Sequence, residues 1–181
     1  MTTQHAPGVT IRTGADADTD AVAALHAASW RTAYTGIMPA EALGDGLADE
    51  RRELWALRLD ADYGEPANTP LLLIAELAGE TVGFAYLVPQ PEGRVLLDNL
   101  HVRPGLTGGG IGGRLMDAAL ARCAERFPGA DLYLEVLQAN IRAVAFYERA
   151  GGRRTDERDC EFPAGFTLPE YEYTWPAPVR R

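Results

Sequence analysis

The sequence predicts an α+β domain: a mixed, mostly antiparallel sheet of about seven strands with helices on both faces. Three observations carry this. The apolar runs LLLIAEL, VGFAYLV and RVLLDNLHV follow one another with only AGE and QPEG between them. Those turns are too short for crossovers, so the three strands are antiparallel neighbours. A glycine-rich run and a segment of helical periodicity then lead to another strand-like run, DLYLEVL. Finally, all 181 residues fit a single domain, and an apolar fraction of 46% is enough to build a sizeable core.

Each element has a local reason. VTIRT, residues 9 to 13, is a short first strand, and Asp16, Asp18 and Thr19 are good starters for a helix over about 19 to 35. DERRELWALRLDA, about 49 to 61, is a second helix, and YGEPANTP is a loop before the three apolar strands. Ile111, Leu115, Ala119, Leu120, Cys123 and Phe127 form the stripe of a third helix. A fifth strand at 131 to 137 precedes a short helix from Asn140 to Ala150, which Gly151 stops. Strands at about 153 to 162 and 168 to 175 close the chain. If the aromatic end EYEYTW lies on an edge strand, it points to a homodimer.

Composition narrows the partners. Seventeen Lys and Arg against 26 Asp and Glu give a net charge of -9, which repels nucleic acid and anionic membranes and draws in a cation. No stretch approaches a membrane span and the start lacks the pattern of a signal peptide, so a cytoplasmic location is expected. Cys123 and Cys160 are too few for a disulfide framework and have no metal-ligand spacing.

RPGLTGGGIGG, residues 103 to 113, puts six glycines in its last nine positions, between a strand end and a helix start. Backbone N–H groups and the helix dipole there suit an anion such as a phosphate, and glycine lets it approach. A flexible connector fits poorly because regular elements flank the run closely. A nucleotide-triphosphate loop needs Lys and Ser or Thr after Gly110, where Ile111 and Gly112 stand. The dinucleotide pattern GxGxxG is present at Gly108, Gly110 and Gly113, but the upstream strands are hairpins rather than βαβ units.

The third phosphate-bearing ligand is coenzyme A. The run T107-G-G-G110-I-G112 resembles the signature of the Gcn5-related N-acetyltransferase (GNAT) family, with Thr107 where the family has Gln or Arg. LLDNLHV is similar to that family's fourth strand, and LEVLQANIRAVAFYERAGG to its fifth strand, Asn-containing loop and following helix. The resemblance covers nearly the whole chain. It implies acetyl-CoA as cosubstrate, a small-molecule or peptide amine as acceptor, splayed strands four and five, and no metal. Backbone of Thr107, Gly108, Gly109, Gly110, Ile111, Gly112 and Gly113 would hold the pyrophosphate. Leu100, His101 and Val102 would line the pantetheine arm, with Asn140 contacting the cofactor.

The resemblance makes Tyr147 the acid that protonates the leaving thiolate and Asp98 the base, with Glu135 in the fifth strand as a further candidate. From the residues alone, Asn140 is equally a helix N-cap and Tyr147 a core residue beside Phe146. His26, Trp30 and Tyr34 fall at four-residue steps, so Trp30 and Tyr34 read either as acceptor-side wall or as a core stripe. Trp55 has the same ambiguity. The expected function is direct acetyl transfer to a primary amine. The alternatives are a non-catalytic acyl-CoA-binding module and, more remotely, a dinucleotide-dependent oxidoreductase.

Overall fold

Hairpin turns dictate the first half of the sheet. The computed structural model describes residues 8–178. After β1 (Val9–Thr13), α1 (Thr19–Tyr34) and α2 (Leu47–Asp60), the strands β2 (Leu71–Leu77), β3 (Glu80–Pro89) and β4 (Val95–Val102) form an antiparallel meander. Its first turn is tight enough to place Ala78 and Gly79 at positive φ, 52° and 81°. Then come α3 (Ile111–Arg126), β5 (Leu132–Leu137), α4 (Ile141–Arg149), β6 (Arg153–Glu161) and β7 (Thr167–Trp175). The seven strands are ordered β1-β2-β3-β4-β5-β7-β6, with β4 and β5 the parallel neighbours. The expected boundaries hold to within about two residues.

Two expectations need correction. The strand that carries EYEYTW is not at an edge: β7 lies between β5 and β6, hydrogen-bonded on both sides. Its aromatic residues are covered by this sheet's own packing, with Tyr173 and Trp175 buried. Asp18 does not cap α1 with its side chain. Its carboxylate accepts two hydrogen bonds from the Arg12 guanidinium, at 2.7 and 2.9 Å, and one from the Ala15 N–H. A bidentate pair with a guanidinium outcompetes a single bond to a backbone N–H.

The sheet separates two cores. On one face, α3 packs Ile111, Leu115, Met116 and Ala119 against β2 to β5, and α4 adds Tyr147. Gly83 permits this closeness, because a Cβ there would lie 2.9 Å from Leu115 and 3.0 Å from the His101 carbonyl. On the other face Val22, Ala23 and Leu25 of α1 and Trp55 of α2 cover Ile74, Phe84 and Tyr86. Trp55 is therefore a core residue.

One irregularity positions the chemistry. The β3–β4 register passes from Tyr86↔Asn99 to Leu87↔Leu97, leaving Asp98 as the extra residue of a β-bulge. Leu97 and Leu100 consequently both face the α3 core, three residues apart instead of two. Asn99 and His101 face α1 and α2. Among the described residues, no helix is long and apolar enough to cross a membrane.

Candidate active site

Two residue pairs are all that join β4 to β5: Val95 with Leu132, and Leu96 with Tyr133. Beyond them the strands part, and the rest of β4, including Leu100, His101 and Val102, has no ladder partner on that side. The glycine run leads from the end of β4 into α3. Gly105, Gly108 and Gly110 hold positive φ of 89°, 86° and 85°, and Gly110 caps α3 without a side-chain bond. The first-turn N–H groups of α3, at Ile111, Gly112 and Gly113, therefore lack helical acceptors and point outward beside the positive end of the helix dipole. Gly109 and Thr107 are exposed. Bare donors beside unpaired strand backbone fit a ligand with a phosphate at one end and an amide-bearing arm.

Three residues converge from different elements. Asn140 caps α4, its Oδ1 accepting from the Ala143 N–H at 3.3 Å. The same side chain lies close enough to the Tyr34 hydroxyl on α1 to oppose the rise in its pKa that burial causes. Tyr147, nearly buried, packs its ring between Phe146 and Trp175, at centroid distances of 5.1 and 6.1 Å. Burial first, and then the neighbouring Tyr34, raise its phenol above the ordinary range, so it stays protonated at neutral pH. Trp30 meets Tyr34 edge-on at 5.2 Å. Asn140 thus is an N-cap and Tyr147 a core residue, and both also border this region.

Asp98 sits at the head of a hydrogen-bonded chain. Its Oδ2 accepts from Asn99 Nδ2 at 2.6 Å and lies 2.8 Å from Arg58 Nη1 of α2. Oδ1 has no hydrogen bond among the described residues. Because the Asn99 amide donates to Asp98, its Oδ1 accepts from His101 Nε2, at 3.3 Å. His101 Nδ1 must then accept from Ser29 Oγ, at 2.8 Å, which fixes a neutral tautomer. The His101 side chain is occupied here, leaving its backbone for the β4–β5 gap. His26 stacks 4.8 Å from His101 and accepts from Trp55 Nε1 at 2.9 Å, with its own Nε2 buried and unpartnered. Burial lowers the basicity of both rings, and His101 falls to about 4, with Arg51 adding to the effect.

Glu135 lies across the gap on β5, ion-paired to Arg158, which also reaches Glu170. Burial and then Glu170 push its carboxyl up, opposed by Arg158. Sequence reasoning missed Arg51 and Arg58. They share a helical face with Trp55 at steps of four and three, a signal hidden inside a run that reads as a solvated charged surface. No group of three His, Cys, Asp or Glu among the described residues converges to hold a metal. A surface groove lined by Ile11, Leu73, Ala118 and Arg122 lies between β1, β2 and α3, away from all of these groups.

The model of the acetyltransferase (GNAT) family matches residues 27–152. This chain belongs to that family. It is similar to a probable N-acetyltransferase of Mycobacterium tuberculosis, 31% identical over 146 residues that make up 78% of each chain. A spermine/spermidine N(1)-acetyltransferase of Bacillus subtilis is 32% identical over 88 residues, 45% of this chain and 58% of that one. In fold it matches a PaiA N-acetyltransferase from Thermoplasma acidophilum, solved in complex with coenzyme A, with a TM-score of 0.72 and 19% identity over 93% of this chain and 99% of that one. The YncA acetyltransferase of Salmonella typhimurium, solved with acetyl-CoA, matches with a TM-score of 0.70 and 16% identity over 96% of both chains. The GNAT chain described here is an N-acetyltransferase.

Histidine burial makes a pH-dependent stability. Folded His101 stays neutral down to about pH 4, whereas in the unfolded chain it takes a proton at its ordinary 6.5. The unfolded state therefore binds more protons between those values, and stability is lost as pH falls through that window. His26 adds to the loss. Urea unfolding at about pH 7.5 and about pH 5 should show the lower midpoint at the acid value, and His101→Gln should shrink the difference. Equal pH dependence in wild type and variant would remove His101 as the cause.

Proposed function

We propose that this protein acetylates a primary amine by direct transfer from acetyl-CoA, with no covalent enzyme intermediate. The observation that carries the reading is the parted β4–β5 ladder, with the bare first turn of α3 beside it. In this reading Gly108 to Gly113 hold the pyrophosphate through backbone N–H groups. The free backbone of Leu100 to Val102 pairs with the pantetheine arm as an added strand would. Acetyl-CoA supplies the activated acyl group.

The chain's own groups divide the rest. Asp98 Oδ1, the oxygen not engaged by Asn99 or Arg58, takes the proton from the attacking amine. A strand β4 N–H near Leu100 steadies the oxyanion. As nitrogen bonds to the carbonyl carbon and the carbon–sulfur bond breaks, Tyr147 passes its hydroxyl proton to the departing thiolate. Tyr34 and Trp30 wall the acceptor side.

The cofactor assignment is tested at Gly112. A Cβ there would lie 3.4 Å from Phe146 and 3.7 Å from Val102, so Val presses on both and displaces the first turn that presents the N–H groups. Gly112→Val should weaken acetyl-CoA binding by at least about tenfold in calorimetry of the folded variant. Unchanged affinity would sink the site.

For the base, Asp98→Asn should lower turnover most at pH below the acceptor's own pKa, where the amine must be deprotonated on the enzyme. Acetyl-CoA affinity should be nearly kept. A pH–rate profile superimposable on that of wild type would transfer the role to Glu135 or water.

For the acid, Tyr147→Phe keeps the ring that packs against Phe146 and Trp175 and removes the proton donor. We expect kcat to fall by about 10² to 10⁴ with acetyl-CoA affinity retained. Wild-type kcat on the best acceptor would show that Tyr147 only packs.

A further inference from the structure

Arg51 carries a charge that the folded chain does not neutralise. It rises from α2 into the space bordered by Trp30, Tyr34 and His101, half-buried, with its guanidinium carbon 4.0 Å above the Trp30 ring. Its Nε is buried without a hydrogen-bond partner, and it makes no salt bridge among the described residues. The groups around it compensate only at a distance: Glu50 and Asp98 attract it, but neither pairs with it. His26 and His101 are neutral and Tyr34 is a phenol, while Asp98 is already held by Arg58 and Glu50 is exposed. Stacking on an aromatic ring offsets only part of the cost of withdrawing a guanidinium from water. Burial without a partner also lowers the proton affinity of Arg51.

The opposite side of the space has the other sign. Asp98 of β4 and Glu135 of β5 face each other across the gap, backed by Glu170 and Glu172, both buried on β7, and among the described residues these four carboxylates share only three guanidiniums, those of Arg58, Arg94 and Arg158. The cleft therefore presents carboxylates from the sheet and a spare guanidinium from the helices. A single planar fork matches a single carboxylate in charge and shape, whereas a phosphate dianion would leave one charge in excess.

We propose that Arg51 anchors a carboxylate on the acceptor, so that the amine this enzyme acetylates belongs to an amino-acid-like zwitterion. Its ammonium group sits over Asp98 and its carboxylate under α2. The inference rests on the assignment of this cleft as the acceptor side. It separates the protein from the Bacillus subtilis relative named for spermine and spermidine, because a polycation would set a second ammonium against Arg51.

The test compares amines that differ only in the carboxylate: lysine with cadaverine, and ornithine with putrescine. Spermidine and O-phosphoethanolamine serve as further arms. The carboxylate-bearing member of each pair should have the higher kcat/KM, by about tenfold or more, the range of a charge-assisted hydrogen bond. Arg51→Met should erase that preference mainly by raising KM for lysine and ornithine. Arg51→Lys, which keeps the charge and folds with the same polar surface, should retain part of it. Preference for cadaverine, putrescine or spermidine would overturn the proposal, as would an Arg51→Met variant that slows both members of a pair equally. Preference for O-phosphoethanolamine would overturn the carboxylate. Calorimetric binding of the same amines to the CoA-loaded protein needs no turnover. An inactive protein that still binds lysine through Arg51 would refute the catalytic reading alone, and one that binds neither member of a pair would refute this proposal.

Discussion

The open backbone beside the glycine loop follows from a ladder that stops early. Two parallel strands that begin side by side would ordinarily stay paired, since each further residue satisfies backbone groups at little additional entropy cost. Here pairing ends after Leu96 and Tyr133. Beyond that point each strand keeps only its outer partner, β3 for β4 and β7 for β5. The open backbone between them is kept by the sheet as a whole, and not by any one side chain.

The bulge at Asp98 is the second constraint. Strict alternation would send one of Asp98 and Asn99 into the α3 core, which would strand a polar group among Leu115 and Met116. One extra residue turns both towards α1 and α2 instead. Asn99 can then bridge His101 and Asp98, and Arg58 can reach the same carboxylate from above. A local irregularity of backbone thus delivers a connected polar network to a face otherwise filled by Phe84, Tyr86 and Trp55.

How much of this the sequence revealed depended on whether the signal was local. The hairpin strands and the glycine loop were legible because short turns and bare backbone leave a mark in the residues themselves. GNAT membership, read from Gly110, Gly112 and the Asn140 loop, agrees with the family match over residues 27–152. The bulge left no mark, since Asp98 and Asn99 are ordinary letters in an apolar run. Nor did the order of the last two strands, because a hairpin does not say which of its arms joins the sheet. Arg51 and Arg58 were hidden for a related reason. In DERRELWALRLDA they look like solvated charges, and only the docking of α2 on the sheet turns that face inward.

The two cores on either side of the sheet also divide the molecule's freedom to change. Trp55, Phe84 and Val22 hold α1 and α2, while Leu115, Met116 and Tyr147 hold α3 and α4, and Gly83 and its neighbours in the sheet stand between them. Substitutions that reshape the helical roof have their effects in one core and add independently to those in the other, as distant sites do. On the proposed placing of acceptor and acyl donor, descendants of such a chain can explore new amines by drift in α1 and α2 while the apparatus for the acyl donor is inherited intact. On the proposed mechanism Tyr147 has no such latitude, since one side chain would serve both packing and proton donation and its replacement would be selected against twice.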